Sequence, residues 1–271
     1  MSMVEDRDAV PGTRVAGRGA RCAGTAIGLC LALTSVSCSG ESAGDANRTP
    51  SRAANRDSSN AAHRASALSP SGTRPERRTI LFAGTSITAG LGLEPDSAYP
   101  HLIDRKLDSL RLPYDVVNAG VSGETSAGLL RRIDWLLREP FDVVVVETGA
   151  NDGLRGAPVA TVRANIQQII DRIKAARPEA EILLVQMEAL PNFGERYTSD
   201  FRAMFPDLAR RNGVTLLPFL LEGVAGHRDL NQADGIHPNM AGERVVAENI
   251  WRALRPHLER RLQERPLSSQ P

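Results

Sequence analysis

Four consecutive valines, Val143 to Val146, within the apolar run Phe141 to Glu147, constrain the fold more than any other feature of the chain. Successive side chains of a strand point to opposite faces, so four valines in a row put branched hydrocarbon on both. Such a run is a central strand covered on both sides, the habit of parallel sheets with helices on each face. The neighbouring sequence keeps the same rhythm from Arg77 onward. Thr79–Ala83, Tyr114–Asn118, Ile182–Gln186 and Val214–Pro218 read as strands. Ser97–Leu110, Ser126–Leu137, Val159–Ala176, Glu195–Arg210 and Met240–Leu258 read as helices, and the Arg/Glu-rich tail beyond Leu258 is expected to fray. In the third of these, Val162, Ile166, Ile169, Ile170 and Ile173 fall on one face at helical spacing. Strand and helix alternating in this way give an α/β fold with a parallel sheet.

The first 76 residues are of another kind. Arg14, Arg18 and Arg21 precede an apolar run, Ala26–Val36, that suits the core of a secretory signal and is short for a membrane span. It ends at Ser37-Cys38-Ser39-Gly40, which resembles a bacterial lipoprotein signal with Cys38 as the lipidated residue; Ser35 stands where such signals usually prefer leucine. A cleaved soluble signal and a retained N-terminal anchor are the other readings. The segment from Glu41 to Arg74 has almost no large apolar side chains to offset the entropy of ordering. The expected layout is a signal over 1–38, a disordered tether over 39–76, a catalytic domain over 77–262 and a disordered tail over 263–271. The expected location is the cell envelope, periplasmic or lipid-anchored. Cys22, Cys30 and Cys38 all lie in or before the signal, so the folded part is expected to use no disulfide or thiol chemistry. A formal charge of +1, with no basic cluster interleaved with aromatics, gives nucleic acid no purchase.

In an open parallel sheet, ligands bind beyond the carboxyl ends of the strands. The polar turns of this chain gather there. Ser86 follows the first strand, Gly120 the second and Asn151 the third; Asp234 and His237 come just before the last helix. Serine, imidazole and carboxylate are the parts of a nucleophilic hydrolase. His237 would be the general base, and Asp234, three residues earlier, would hold its ring or merely build an Asx-turn. His227 is the rival histidine, and Asp229 and Asp152 are the rival acids. Pro238 is expected to open the last helix at or near its first turn. Ser86 N–H, Gly120 N–H and the Asn151 amide could receive a developing oxyanion. Neither the Gly-x-Ser-x-Gly elbow nor a Gly-x-Gly-x-x-Gly turn is present; Gly84-Thr85-Ser86-Ile87-Thr88-Ala89-Gly90 stands in their place.

Gly84–Gly90, Asn118–Thr125, Gly149–Gly156 and Asp234-Gly235-Ile236-His237-Pro238-Asn239 together resemble the four motif blocks of the SGNH, or GDSL, hydrolase family. The resemblance runs from about Arg77 to Arg260 and is strongest to its bacterial acyl-CoA thioesterase, lysophospholipase and arylesterase subgroup. It implies a three-layer α/β/α sandwich, flavodoxin-like, around a mostly five-stranded parallel sheet, in a monomer without metal or organic cofactor. It makes Ser86 the nucleophile, Asp234 and His237 its partners, and Ser86, Gly120 and Asn151 the oxyanion hole. Leu154 and the Leu190–Phe193 loop resemble the walls of an acyl groove. Aryl esters, lysophospholipids and acyl thioesters are the implied substrates, and an exported enzyme would meet lysolipids and external esters rather than cytosolic thioesters. The family's aspartate before the nucleophile is Thr85 here, and altered loop rigidity or rate is the expected consequence. The alternatives are a carbohydrate O-acetylesterase of the same family and a non-catalytic exported binding protein.

Overall fold

The computed structural model describes residues 77–264. The expected signal and tether, with Cys38, lie outside the described residues, as does the chain from 265 onward. Five strands form the sheet: β1 (Arg78–Gly84), β2 (Tyr114–Gly120), β3 (Val143–Val146), β4 (Glu181–Gln186) and β5 (Thr215–Phe219). All pair in parallel in the order β2-β1-β3-β4-β5. The four valines are β3 itself, at the centre of the sheet, and all four are inaccessible to solvent.

Two layers of helix cover the sheet. On one side α2 (Tyr99–Ser109) packs against α7 (Met240–Glu264); on the other α5 (Val159–Ala176) lies between α3 (Ser126–Leu136) and α6 (Glu195–Asn212). The fold is therefore a three-layer α/β/α sandwich. The apolar stripe read from the sequence, Val162, Ile166, Ile169, Ile170 and Ile173, is the buried face of α5. Burying each such side chain contributes roughly 1.5–3 kcal/mol against the entropy of ordering it.

The strand order fixes where chemistry can sit. From β1 the chain crosses to β2 on one side, then returns past β1 to β3 on the other. The connections diverge there, and the C-terminal ends of β1 and β3 border a crevice that neither connection fills.

Several boundaries differ from the sequence reading for local reasons. Pro95–Ser97 form a 3-10 turn and Ala98 is extended (ψ 142°), so α2 starts at Tyr99 rather than Ser97. Two short helices, α1 (Ser86–Ala89) and α4 (Ala150–Leu154), occupy the turns after β1 and β3. Asn239, not Pro238, caps the last helix, which begins at Met240: its Oδ1 accepts from Ala241 N–H (2.9 Å) and Gly242 N–H (3.1 Å). Within the described residues the expected fraying after Leu258 is not seen, and α7 continues to Glu264. Arg260 is held by Glu181 at 2.6 Å, Arg261 donates to Glu179 O, and Leu262 packs on the core. Among the described residues no helix is long and apolar enough to cross a membrane.

Candidate active site

Ser86 opens α1 immediately beyond β1. A cap residue normally turns its hydroxyl back to accept from the first helical N–H groups. Thr85 is at the cap position but makes no such bond. Its Oγ1 donates instead to the Glu147 carboxylate (2.9 and 3.0 Å), and its N–H donates to Glu147 Oε2 (2.6 Å). Ser86 N–H is left without an acceptor among the described residues.

The histidine turn comes from the other end of the chain. Asp234 does two jobs with its two oxygens. Oδ1 accepts from Ile236 N–H (2.9 Å) and His237 N–H (3.0 Å), which closes the turn; Oδ2 lies 2.6 Å from His237 Nδ1. The Asx-turn and the ring partner are therefore one residue. On the far side of the ring, Nε2 is 2.8 Å from Ser86 Oγ. Hydrogen bonds from the His237 backbone and ring and from Ile236 N–H lower the Asp234 pKa to about 2, so Asp234 is a carboxylate at any ordinary pH. The rival acid Asp152 is engaged elsewhere: its oxygens accept from Ser126 N–H (2.7 Å) and Ser126 Oγ (2.8 Å) at the start of α3.

Asn151 lies in α4, beyond β3, and one hydrogen of its amide is given to Glu124 O at 3.0 Å. That bond fixes the amide plane and leaves the second N–H. Gly120 corrects the sequence reading. Its N–H donates to Asn118 Oδ1 (2.9 Å), two residues back, and is not a free donor. Its lack of a side chain serves packing, since an added Cβ would lie 2.3 Å from Ala89 N. Gly120 also lines a cavity of about 380 Å³ beside the edge strand with His101, Asp104 and Asn118, whose lining includes neither Ser86 nor His237. Three residues on, Gly123 is exposed at φ +75°, its N–H without an acceptor among the described residues and its Cβ direction open. Its carbonyl accepts from Arg155 at 3.1 Å. A bidentate Arg132–Glu124 pair (2.6 and 2.7 Å) holds the loop.

Beneath the serine turn is a buried polar cluster that the sequence reading missed. Besides Thr85, Glu147 accepts from Thr88 Oγ1 (2.9 Å), which is 2.9 Å from Tyr99 Oη. Tyr99 N–H donates to Glu243 Oε2 (2.7 Å). Burial raises the Glu147 pKa against the opposing pull of the Thr85 and Thr88 donors. Glu243 is pushed to about 8, chiefly by burial and further by the charge of Glu147, with Tyr99 N–H opposing. The sole hint in the sequence was a glutamate closing an all-valine strand.

Because folding raises the Glu243 pKa from 4.5 to about 8, the folded state holds a proton that the unfolded chain releases. The stability this contributes is complete below the unfolded value and is lost as pH rises through the folded one, at up to ~1.4 kcal/mol per pH unit. Glu243→Gln keeps an acceptor for Tyr99 N–H and is expected to flatten this dependence. It should be more stable than wild type at pH 9. Urea unfolding at pH 5, 7 and 9 checks this, and parallel curves for the two proteins would contradict it.

Of the expected groove residues, Phe193 packs against the segment that carries Leu154. Phe193, from the loop after β4, lies over Gly156, where an added Cβ would come within 2.5 Å of the ring. Tyr197 lies tilted against Phe193 (5.3 Å between centroids) and donates to Ala157 O (2.8 Å). Leu154 is half-buried on the same segment, while Leu190 and Phe193 stay exposed, two large apolar side chains facing water.

A buried serine hydrogen-bonded to an imidazole, itself held by a carboxylate, at the C-terminal edge of a parallel sheet defines the class: a serine hydrolase. Comparison with known proteins narrows it. The GDSL-like Lipase/Acylhydrolase family matches residues 82–245, and the chain belongs to that family. It is 40% identical to Esterase TesA of Pseudomonas aeruginosa over 182 residues, 67% of this chain and 90% of that one. It is 38% identical to Thioesterase 1/protease 1/lysophospholipase L1 of Escherichia coli K12 over 179 residues, 66% of this chain and 84% of that one. Among solved structures, the psychrotrophic esterase EstA from Pseudoalteromonas sp. superposes with a TM-score of 0.64 at 33% identity, covering 67% of this chain and 99% of that one.

Proposed function

We propose that this chain hydrolyses carboxylic esters through an acyl-enzyme on Ser86, with aryl esters and lysophospholipids as its main substrates and acyl thioesters within reach. The observation that carries the reading is the continuous hydrogen-bonded series Ser86 Oγ, His237, Asp234, at 2.8 and 2.6 Å. Ser86 Oγ attacks the carbonyl carbon while His237 Nε2 takes its proton, and Asp234 stabilises the imidazolium. The tetrahedral oxyanion is received by Ser86 N–H, the free N–H of Asn151 and the N–H of Gly123, which replaces Gly120 in this role. As the intermediate collapses, His237 gives the proton to the departing alcohol, phenol or thiol. Water, deprotonated by the same ring, then releases the acid and restores Ser86.

Asn151→Ala is expected to lower kcat on the order of 10²–10³-fold with KM little changed, because the lost bond forms to charge that develops only in the transition state. Steady-state rates on one aryl ester check it, and a pure rise in KM would contradict it.

Two supports favour the substrate range. The relatives of known activity are an esterase, a thioesterase/lysophospholipase and, at 33% identity, an arylesterase of Vibrio mimicus. The exposed Leu190 and Phe193 offer apolar surface beyond what an acetyl group needs. Export by the 1–38 segment, with a 39–76 tether and a catalytic domain from residue 77, completes the reading and puts the enzyme beside envelope lipids. Initial rates on p-nitrophenyl esters from C2 to C16 test the acyl side. A maximum between C4 and C12, with Phe193→Ala costing about 10-fold there and sparing C2, is expected. A sharp C2 optimum would contradict it and favour the O-acetylesterase.

A further inference from the structure

We infer that Glu147 is a positioning residue of the reaction, holding the Ser86 turn from behind through Thr85 and Thr88. The inference rests on the reading of Ser86 as the nucleophile. Glu147, Thr85 and Thr88 are each at most 1% exposed, so water does not compete for these bonds. Three donors from the serine turn converge on one carboxylate: Thr85 N–H, Thr85 Oγ1 and Thr88 Oγ1, all within 3.0 Å. They bracket Ser86 on both sides. No arginine, lysine or histidine pairs with Glu147 among the described residues, so the donors of this turn are what satisfy it.

The backbone is shaped to admit the carboxylate. Gly84, the last residue of β1, faces it without a side chain; an added Cβ would stand 2.0 Å from Thr88 Oγ1 and 2.7 Å from Glu147 Oε2. The same contact explains the unusual cap. With its hydroxyl given to Glu147, Thr85 cannot fold back over the turn that carries Ser86. Glu147 thereby fixes the Gly84–Thr85 peptide and the Thr85 side chain just before Ser86, aiming Ser86 Oγ at His237 and leaving Ser86 N–H unengaged among the described residues. Because β3 is the rigid centre of the sheet, the anchor transmits that rigidity to the nucleophile.

The test uses the full chain and an aryl phosphonate that labels Ser86 once per active site, so that the rate constant of labelling is separated from the number of sites. Thr85→Val keeps shape and removes only the hydroxyl. Its kcat is expected to fall about 10-fold with KM within about twofold, the labelling rate constant falling in step, and Thr85→Ser should restore both. Glu147→Ala should lose on the order of 10²-fold in the same two quantities, the scale expected when a reacting group is misplaced by about 1 Å. Fewer labelled sites at an unchanged rate constant would overturn the inference, because Glu147 would then serve folding alone. So would a rise in KM at constant kcat. If Ser86→Ala itself hydrolysed esters at the wild-type rate, the reading of the nucleophile would fail. If Ser86 were required and the Thr85 and Glu147 variants kept the wild-type rate constant, only the present inference would.

Discussion

Ser86→Ala is expected to lower kcat/KM on aryl esters on the order of 10⁴-fold or more without disturbing the fold. The size follows from what the hydroxyl supplies. Among the described residues, Ser86 Oγ is the one nucleophilic atom 2.8 Å from an imidazole that is itself fixed by a carboxylate. Without it, the site offers only the donors of the oxyanion hole and an unassisted water. The fold should survive because Ser86 Oγ makes no bond beyond that to His237 among the described residues, and alanine is a good helix former at the start of α1. Steady-state rates together with thermal unfolding check both halves. A residual rate within 10²-fold of wild type would contradict the assignment.

His237→Ala is expected to cost a similar factor, and the double variant Ser86→Ala/His237→Ala no more than either single one. Groups that act as a unit are not additive: once the base is gone the hydroxyl is a weak nucleophile, and once the hydroxyl is gone the base has nothing to deprotonate. Losses that multiplied instead would mean that serine and histidine act in separate steps. The turn should persist in His237→Ala, because Asp234 Oδ1 holds it through backbone N–H groups that alanine retains. Circular dichroism and melting tests that point separately from the rate.

The sequence carried the fold because two periodicities coincided. All-valine β3 demanded cover on both faces, and the isoleucine stripe of α5 supplied part of it. Strand order was not legible, since crossover side depends on packing between helices far apart in sequence. The serine, histidine and aspartate were legible because each stands in a polar turn at a strand or helix end, where little else explains it. Gly120 was misread for a reason that no spacing reveals: a side chain two residues earlier takes its N–H, while Gly123 keeps its own free among the described residues. The continuation of α7 depends on Glu181, 79 positions before Arg260, which a composition that suggests fraying cannot disclose. Glu147 was hidden in the same way. Its partners Thr85 and Thr88 are 62 and 59 residues away, and only the parallel pairing of β1 with β3 brings them together.

The most direct test of the central claim is covalent. The full chain is treated with an aryl phosphonate ester, digested, and the modified residue located by mass spectrometry, in wild type and in His237→Ala. The account predicts one phosphonyl group per molecule, on Ser86, with loss of ester hydrolysis in proportion, and labelling slowed on the order of 10³-fold or more in the variant. Label on another residue, or full hydrolysis by a molecule labelled at Ser86, would contradict it.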